Sequence, residues 1–500
     1  MRAWLLRLWP QDGPQRIFAG LAALLLAGGA AAALAGSPAL LAPGLLALGL
    51  LAAFVEWRVL YYGLFATLAF SREIDLPGGL SMDVPSEPLM LALTACVLGA
   101  LMLGQGRLPA REWRHPLVVL LALMLLWSIV DIFFSVDQTK SVKYVLAKVW
   151  YLTPFVLGTL LVVRRPADAW RVLGVYAAGS TVSTLYVIGQ HAARGFSFDT
   201  INLAVRPFFR NHVTYATVLA LLLPFVLLGA RAMRRGRLRW AWQAGVAVLL
   251  FGLFTSYTRA SMLALPVAGL YYLVVRWHCT RSLLLALVLG TSGAVFYFVN
   301  ENNFMHYTPD FEKTTFNGHD FSKHIEATYK LQDASGMERV YRWVAAARMV
   351  ADRPLVGSGP ATFYPEYKRY TVRSFRTFVS GNPEKSTAHN YFLLQLAEQG
   401  IPGFVLFVTL MGWALLTAER LYYRARHRPD VRRVVLAAAL SLVIIIFHLT
   451  LNELVEVDKI GSIFFVCLAL LVRADSWLEE IPQSTRLALP GPTPLTSSGS

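Results

Sequence analysis

The chain has 500 residues, 56% of them hydrophobic and only 15% charged, with a formal net charge of +16. Soluble globular domains carry about 25% charged residues, so a soluble class is excluded. The arginine surplus is no nucleic-acid footprint either, because the arginines fall in short loops between apolar runs, as in multi-pass membrane proteins.

In chain order, Arg2, Arg7 and Arg16 precede a first apolar run over 18–36. It reads as an uncleaved first span, because many more follow. The later runs are 39–55, 59–70, 88–104, 116–134, 144–163, 172–190, 211–230, 240–257, 261–275, 282–299, 401–418, 434–451 and 460–472. Most approach the ~20 residues a helix needs to cross a bilayer. They lack the strict alternation of barrel strands, and lipid admits only helices or closed barrels. The expected fold is therefore all-α, a polytopic transmembrane bundle. The runs at 59–70 and 460–472 are short, so 12–14 crossings are expected. Arg107, Arg111 and Arg114, the run "RAMRRGRLR" (231–239) and "RLYYRARHRPDVRR" (420–433) all fall on one side when the spans alternate. The charge rule makes that side cytoplasmic, with both termini inside.

Residues 300–388 form one long polar segment on the outer side. Loops of that length usually carry function. Within it, "MERVYRWVAAARMVA" (337–351) has apolar residues at 340, 343, 344, 347 and 350, the spacing of an amphipathic helix. Pro354 ends it, and "GSGPATF" (357–363) turns the chain. The expected organisation is a bundle over 1–299, the outer segment over 300–388, C-terminal spans over 389–474 and a disordered tail over 475–500, rich in Pro, Ser and Thr.

Cations beside apolar runs on the outer side break the charge rule and are costly near hydrocarbon. "RPFFRNHVTYA" (206–216) holds Arg206 and Arg210, four apart, which a helical turn would put on one face. "TSYTRASMLA" (255–264) places Arg259 in a tight turn between two spans. Arg339 lies one turn into the amphipathic helix, with Arg342 three residues on. Arginine's planar fork suits phosphate, so their convergence suggests a diphosphate or lipid-phosphate ligand. Snorkelling to lipid headgroups is the competing reading of each one alone. His389, in "STAHNYFLLQLAEQG" (386–400), stands where the polar segment meets an apolar helix. It is either a cap or a proton acceptor, since an imidazole titrates near neutrality. Glu398 faces another side and is expected to support packing through hydrogen bonds.

Other features carry less. His306, His319 and His324 match no familiar metal spacing. "GSGP" lacks the strand and helix of a nucleotide loop. Cys96, Cys279 and Cys467 sit in or beside apolar runs without a CxxC. "NELVEVDK" (452–459) places Glu453, Glu456 and Asp458 in a short outer loop, read as solvated or as a second base. "DLPGGLSMDVPSEP" (75–88) has no functional reading.

"AHNYFLLQLAEQG" resembles the His-Asn/Ser-x-x-Leu-x-x-x-x-Glu-x-Gly signature of the O-antigen ligase/polymerase superfamily. "ERVYRWVAAARMVADRPLVGSGPATFYPEY" (338–367) is similar to its Arg-led helix and Pro-Leu-x-Gly-x-Gly turn. "FFRNHVTYATVLALLLP" (208–224) and "TSYTRASMLAL" (255–265) look like two more of its blocks, in the right order. The resemblance implies a C-type-like glycosyltransferase of the bacterial inner membrane. Such an enzyme moves a glycan from undecaprenyl diphosphate to an acceptor at the periplasmic face, with no metal, nucleotide or other cofactor. By matched position, Arg259 and Arg339 would grip the diphosphate and His389 would act at the acceptor hydroxyl. Arg210, with Arg206 beside it, falls in the block where the family's arginine position varies. The chain departs from the family in its two extra spans and in residues 75–88.

The resemblance leaves the acceptor open: lipid A–core for a ligase, a second lipid-linked repeat for a polymerase, or a protein. A transporter of lipid-linked sugars is the reading outside enzymes. It fits less well, because ionisable residues other than Lys148 avoid mid-membrane positions and no repeat is visible. Membrane lipids are expected partners and nucleic acid is not.

Overall fold

The computed structural model describes residues 56–76, 80–104, 106–233, 236–300, 303, 334–373, 380–381 and 387–479. The two spans expected at 18–36 and 39–55, His306, His319, His324 and the tail beyond 479 lie outside them.

Long helices dominate the described residues. In chain order they are α1 (Arg58–Thr67), α2 (Ser86–Met102), α3 (Pro116–Asp131), α4 (Gln138–Leu152), α5 (Pro166–Ala192), α6 (His212–Ala232) and α7 (Arg237–Thr255). They continue with α8 (Arg259–Arg276), α9 (Thr280–Val299), α10 (Ala334–Asp352), α11 (Tyr391–Arg424), α12 (Pro429–Leu449) and α13 (Asp458–Glu479). Among the described residues, nine helical segments are long and apolar enough to cross a membrane. The protein is thus a polytopic helical membrane protein. A hairpin of β1 (Arg72–Leu76) and β2 (Leu80–Val84) joins α1 to α2 and sets Glu73 opposite Asp83.

Burial sorts the helices. α13 is buried along its whole apolar window and α6 nearly so, whereas no residue of the α9 window is fully buried. A helix apolar on every side belongs in the interior of a bundle, and α13 occupies it. Some of the polar groups buried there pair with one another, as burial favours. Tyr176 donates to Lys459 O at 2.7 Å, and Tyr61 and Thr159 share a 2.6 Å bond.

Two spans differ from their sequence expectation. The run at 460–472, read as short, belongs to the 22-residue α13. The apolar run stops at Arg473, but the helix does not, because its charges are neutralised internally. Arg473 pairs with buried Glu112 and donates from Nε to Val163 O at 2.9 Å, while Asp475 is ringed by arginines. The helix therefore continues through Glu479, past the boundary expected at 474. Likewise the run at 401–418 is the middle of α11, which starts at Tyr391 and kinks at Gly400. Its first turns are polar, yet Gln395, Glu398 and Gln399 are buried, and Glu398 and Gln399 are hydrogen-bonded to neighbouring segments.

Candidate active site

α10 forms where the apolar spacing places it, but with a different buried face. Met337, Tyr341, Ala345, Ala346 and Met349 are buried, and Ala347 is exposed. The face is rotated because a charged pair is buried with it. Arg342 donates from Nε to Glu338 Oε1 at 3.2 Å, and both side chains are almost fully buried. Glu338 Oε2 also accepts from Ser380 at 2.9 Å.

After α10 the chain turns at Pro354 and docks on α11. Ser358 N donates to Ala397 O at 3.0 Å, Gly359 N to Glu398 O at 2.8 Å and Ile401 N to Pro354 O at 2.8 Å. Glu398 holds the other side of the turn, accepting from Ala361 N at 3.0 Å and Phe363 N at 2.8 Å. It does the packing work expected of it. The approach is too close for side chains at two glycines. A Cβ on Gly357 (φ 62°) would lie 2.5 Å from Glu398 O, and one on Gly400 (φ 65°) 2.2 Å from Leu355 O.

This clamp positions His389. Arg342 Nη1 donates to Thr387 O at 3.0 Å and Trp343 Nε1 to Ala388 O at 2.9 Å, so α10 grips the two carbonyls before the histidine. Asn390 then caps α11, its side chain accepting from Leu393 N at 3.1 Å. His389 itself has φ 51°. A non-glycine residue held there is strained, and such strain gathers at functional sites. The ring's Nδ1 lies 3.8 Å from Glu453 Oε2. Both atoms are buried and neither holds a hydrogen bond of normal length. Burial pushes the His389 pKa below its ordinary value; Glu453 opposes that, and Arg342 and Arg339 add to it. The ring is therefore neutral at pH 7, the form that can accept a proton.

Arg339 and Arg342 thus stand within electrostatic reach of His389. Arg259 reaches the same level by another route. It opens α8, and two residues on Ser261 bonds His448 Nε2 at 3.2 Å. His448 O in turn accepts from Asn452 N at 2.8 Å, in the turn that carries Glu453. Arg206 and Arg210 are arranged differently. Residues 205–210 are not helical, so the spacing of four places no common helix face, and both side chains are exposed. Among the described residues, no hydrogen bond or ion pair joins either to His389. Arg210 acts instead on Asp83 of the hairpin, whose pKa is raised to about 6 by burial and by Asp458, with Lys459 and Arg210 opposing.

The loop "NELVEVDK" is not solvated. Glu456 accepts from Lys148 at 2.7 and 2.9 Å and from Tyr391 at 2.7 Å. Asp458 takes Ser86, and Lys459 donates to Ser71 O at 2.7 Å, which ties residues 71–86 to the start of α13. Lys148, the mid-span exception, is thus paired. Sequence reasoning weighed Glu453 only as one loop acid among three. The signal was an acid in a short loop on the same side as His389. Trp343 and the grip of Arg342 had no sequence signal. Among the described residues, no group of three His, Cys, Asp or Glu is set to hold a metal ion.

Residues 244–408 match a family model described as O-antigen ligase. That stretch runs from α7 into α11, taking in Arg259, Arg339 and His389 and leaving out Arg206, Arg210 and Glu453. No curated protein matches the chain. Residues 244–408 of this multi-pass membrane protein are thus similar to the O-antigen ligase family.

Proposed function

We propose that the protein is an O-antigen ligase of the bacterial inner membrane. It transfers a glycan from undecaprenyl diphosphate to a lipid A–core acceptor at the periplasmic face. The observation that carries this reading is the strained, neutral His389 facing Glu453, with Arg339 and Arg342 beside it. The opposite face carries Arg111, Arg114, Arg164, Arg165, Arg231, Arg420 and Arg424, which supports a cytoplasmic assignment for that side.

The chemistry follows from the charges. The acceptor hydroxyl oxygen attacks the anomeric carbon, and the bond from that carbon to the diphosphate oxygen breaks. The bonding pair leaves on undecaprenyl diphosphate, and the hydroxyl proton passes to His389 Nε2. Glu453 stabilises the imidazolium through the Nδ1 side. A base placed this way contributes roughly 10²–10⁴-fold. Arg259 and Arg339 counter the charge growing on the diphosphate. A single displacement inverts the anomeric carbon.

Deleting the gene in its host tests the acceptor. Loss of capped lipopolysaccharide with accumulation of lipid-linked polymer supports the ligase. Accumulation of single lipid-linked repeats would reassign the protein as a polymerase.

A further inference from the structure

The face opposite His389 carries a polar cavity of about 440 Å³ lined by Arg111, Arg114, His115, Pro116, Arg420 and Asp475. Three elements build it: the turn before α3, the last turns of α11 and the end of α13. Pro116 opens the α3 span, so the cavity sits at the level where spans leave the membrane.

Its centre is Asp475, almost fully buried. Arg111 reaches it at 3.1 Å, Arg420 at 3.5 Å, and Arg424 pairs with it as well. Glu479 takes further contacts from Arg111 and Arg424. Three arginines thus meet two carboxylates, Arg114 lines the same cavity, and two positive charges remain. The neighbouring Arg473–Glu112 and Arg428–Asp430 pairs are balanced. Arg114 and Arg420 are exposed toward the cavity, with donors to spare.

His115 is the second, independent feature. It is 5% exposed, and its Nδ1 accepts from Leu117 N at 3.3 Å. The proton therefore sits on Nε2, which is buried with no hydrogen-bond partner and stands 3.8 Å from Asp475. A buried N–H left unpaired is costly, and it adds to the donors that already crowd Asp475.

We infer that this cavity binds the phosphate headgroup of an anionic phospholipid from the leaflet opposite the active site. A phosphodiester there accepts from the exposed Arg114 and Arg420, while its acyl chains follow the span. Basic pockets between spans on that side suit such headgroups. A free phosphate has the same head chemistry, but only a lipid is concentrated at this depth.

Full-length protein, purified and delipidated in neutral detergent, is titrated with phosphatidylglycerol, phosphatidylcholine or inorganic phosphate while its thermal midpoint is followed. Phosphatidylglycerol is expected to raise the midpoint saturably, and the other two are not. The exposed Arg114→Gln should weaken that response about fivefold, and Arg114→Gln/Arg420→Gln ~30-fold, at ~1 kcal/mol per arginine. Equal shifts from phosphatidylcholine would overturn the site. Equal potency of inorganic phosphate would overturn the lipid. An unchanged half-saturation in Arg114→Gln, which keeps the Asp475 contacts intact, would overturn the assignment of the arginines.

Discussion

His389 Nδ1 and Glu453 Oε2 face each other at 3.8 Å, from the segment before α11 and the loop after α12. The pair predicts a pH signature. A base works only when deprotonated, so transfer should fall as pH drops through the depressed His389 pKa. Glu453 raises that pKa, so Glu453→Gln should move the acid limb of the rate profile to lower pH while reducing the rate. His389→Ala should cut transfer by at least ~10²-fold with normal membrane insertion. A Glu453→Gln profile that stays in place would remove the pairing from the mechanism.

Arg259→Ala and Arg339→Ala should weaken the donor rather than the acceptor. Hydrogen bonds to charged groups are worth ~1.5–3 kcal/mol, which is about 10–100-fold in apparent donor KM. Steady-state kinetics with each substrate varied separately check this. A rise confined to acceptor KM counts against the diphosphate role.

Trp343→Phe keeps an aromatic side chain and deletes the 2.9 Å bond to Ala388 O. Folding stability should drop by ~1 kcal/mol. Trp343 acts through His389, so kcat should fall with donor KM unchanged. If kcat holds while the midpoint falls, the bond is structural only.

Gly357→Ala and Gly104→Ala separate contact from conformation. Both glycines have positive φ, but only at Gly357 would a Cβ strike neighbouring backbone. Backbone strain alone costs ~1–2 kcal/mol, and overpacking adds ~1–3 kcal/mol. Gly357→Ala should show the larger fall in thermal midpoint and detach the turn from α11. Equal effects would deny the clamp.

Asp83 lies outside the spans, with its folded pKa raised to about 6. A carboxyl raised above its unfolded value lends stability at low pH and loses it as pH rises through about 6. Asp83→Asn should therefore flatten the decline in thermal midpoint between about pH 4 and 7. An unchanged decline would place its cause elsewhere.

Apolar runs made the bundle legible, because lipid leaves a chain few options. The runs failed where charge is paired inside the protein: Arg473 closes the apolar run, yet Glu112 keeps it helical. The same cause rotated α10, since the buried Glu338–Arg342 pair outweighs the apolar spacing. At the candidate site, His389, Arg259 and Arg339 were legible as ionisable groups at an interface. Glu453 was not singled out, since its meeting with His389 depends on how α11 and α12 pack. Arg206 and Arg210 show the converse: a spacing of four carries helical meaning only where a helix forms.

One helix, α10, carries Arg339 and also grips the carbonyls of Thr387 and Ala388. Arginine and imidazole are therefore geared together. Displacing α10 carries both away at once, and seating it restores both in register. A donor that pulls Arg339 into place would cock the base in the same movement.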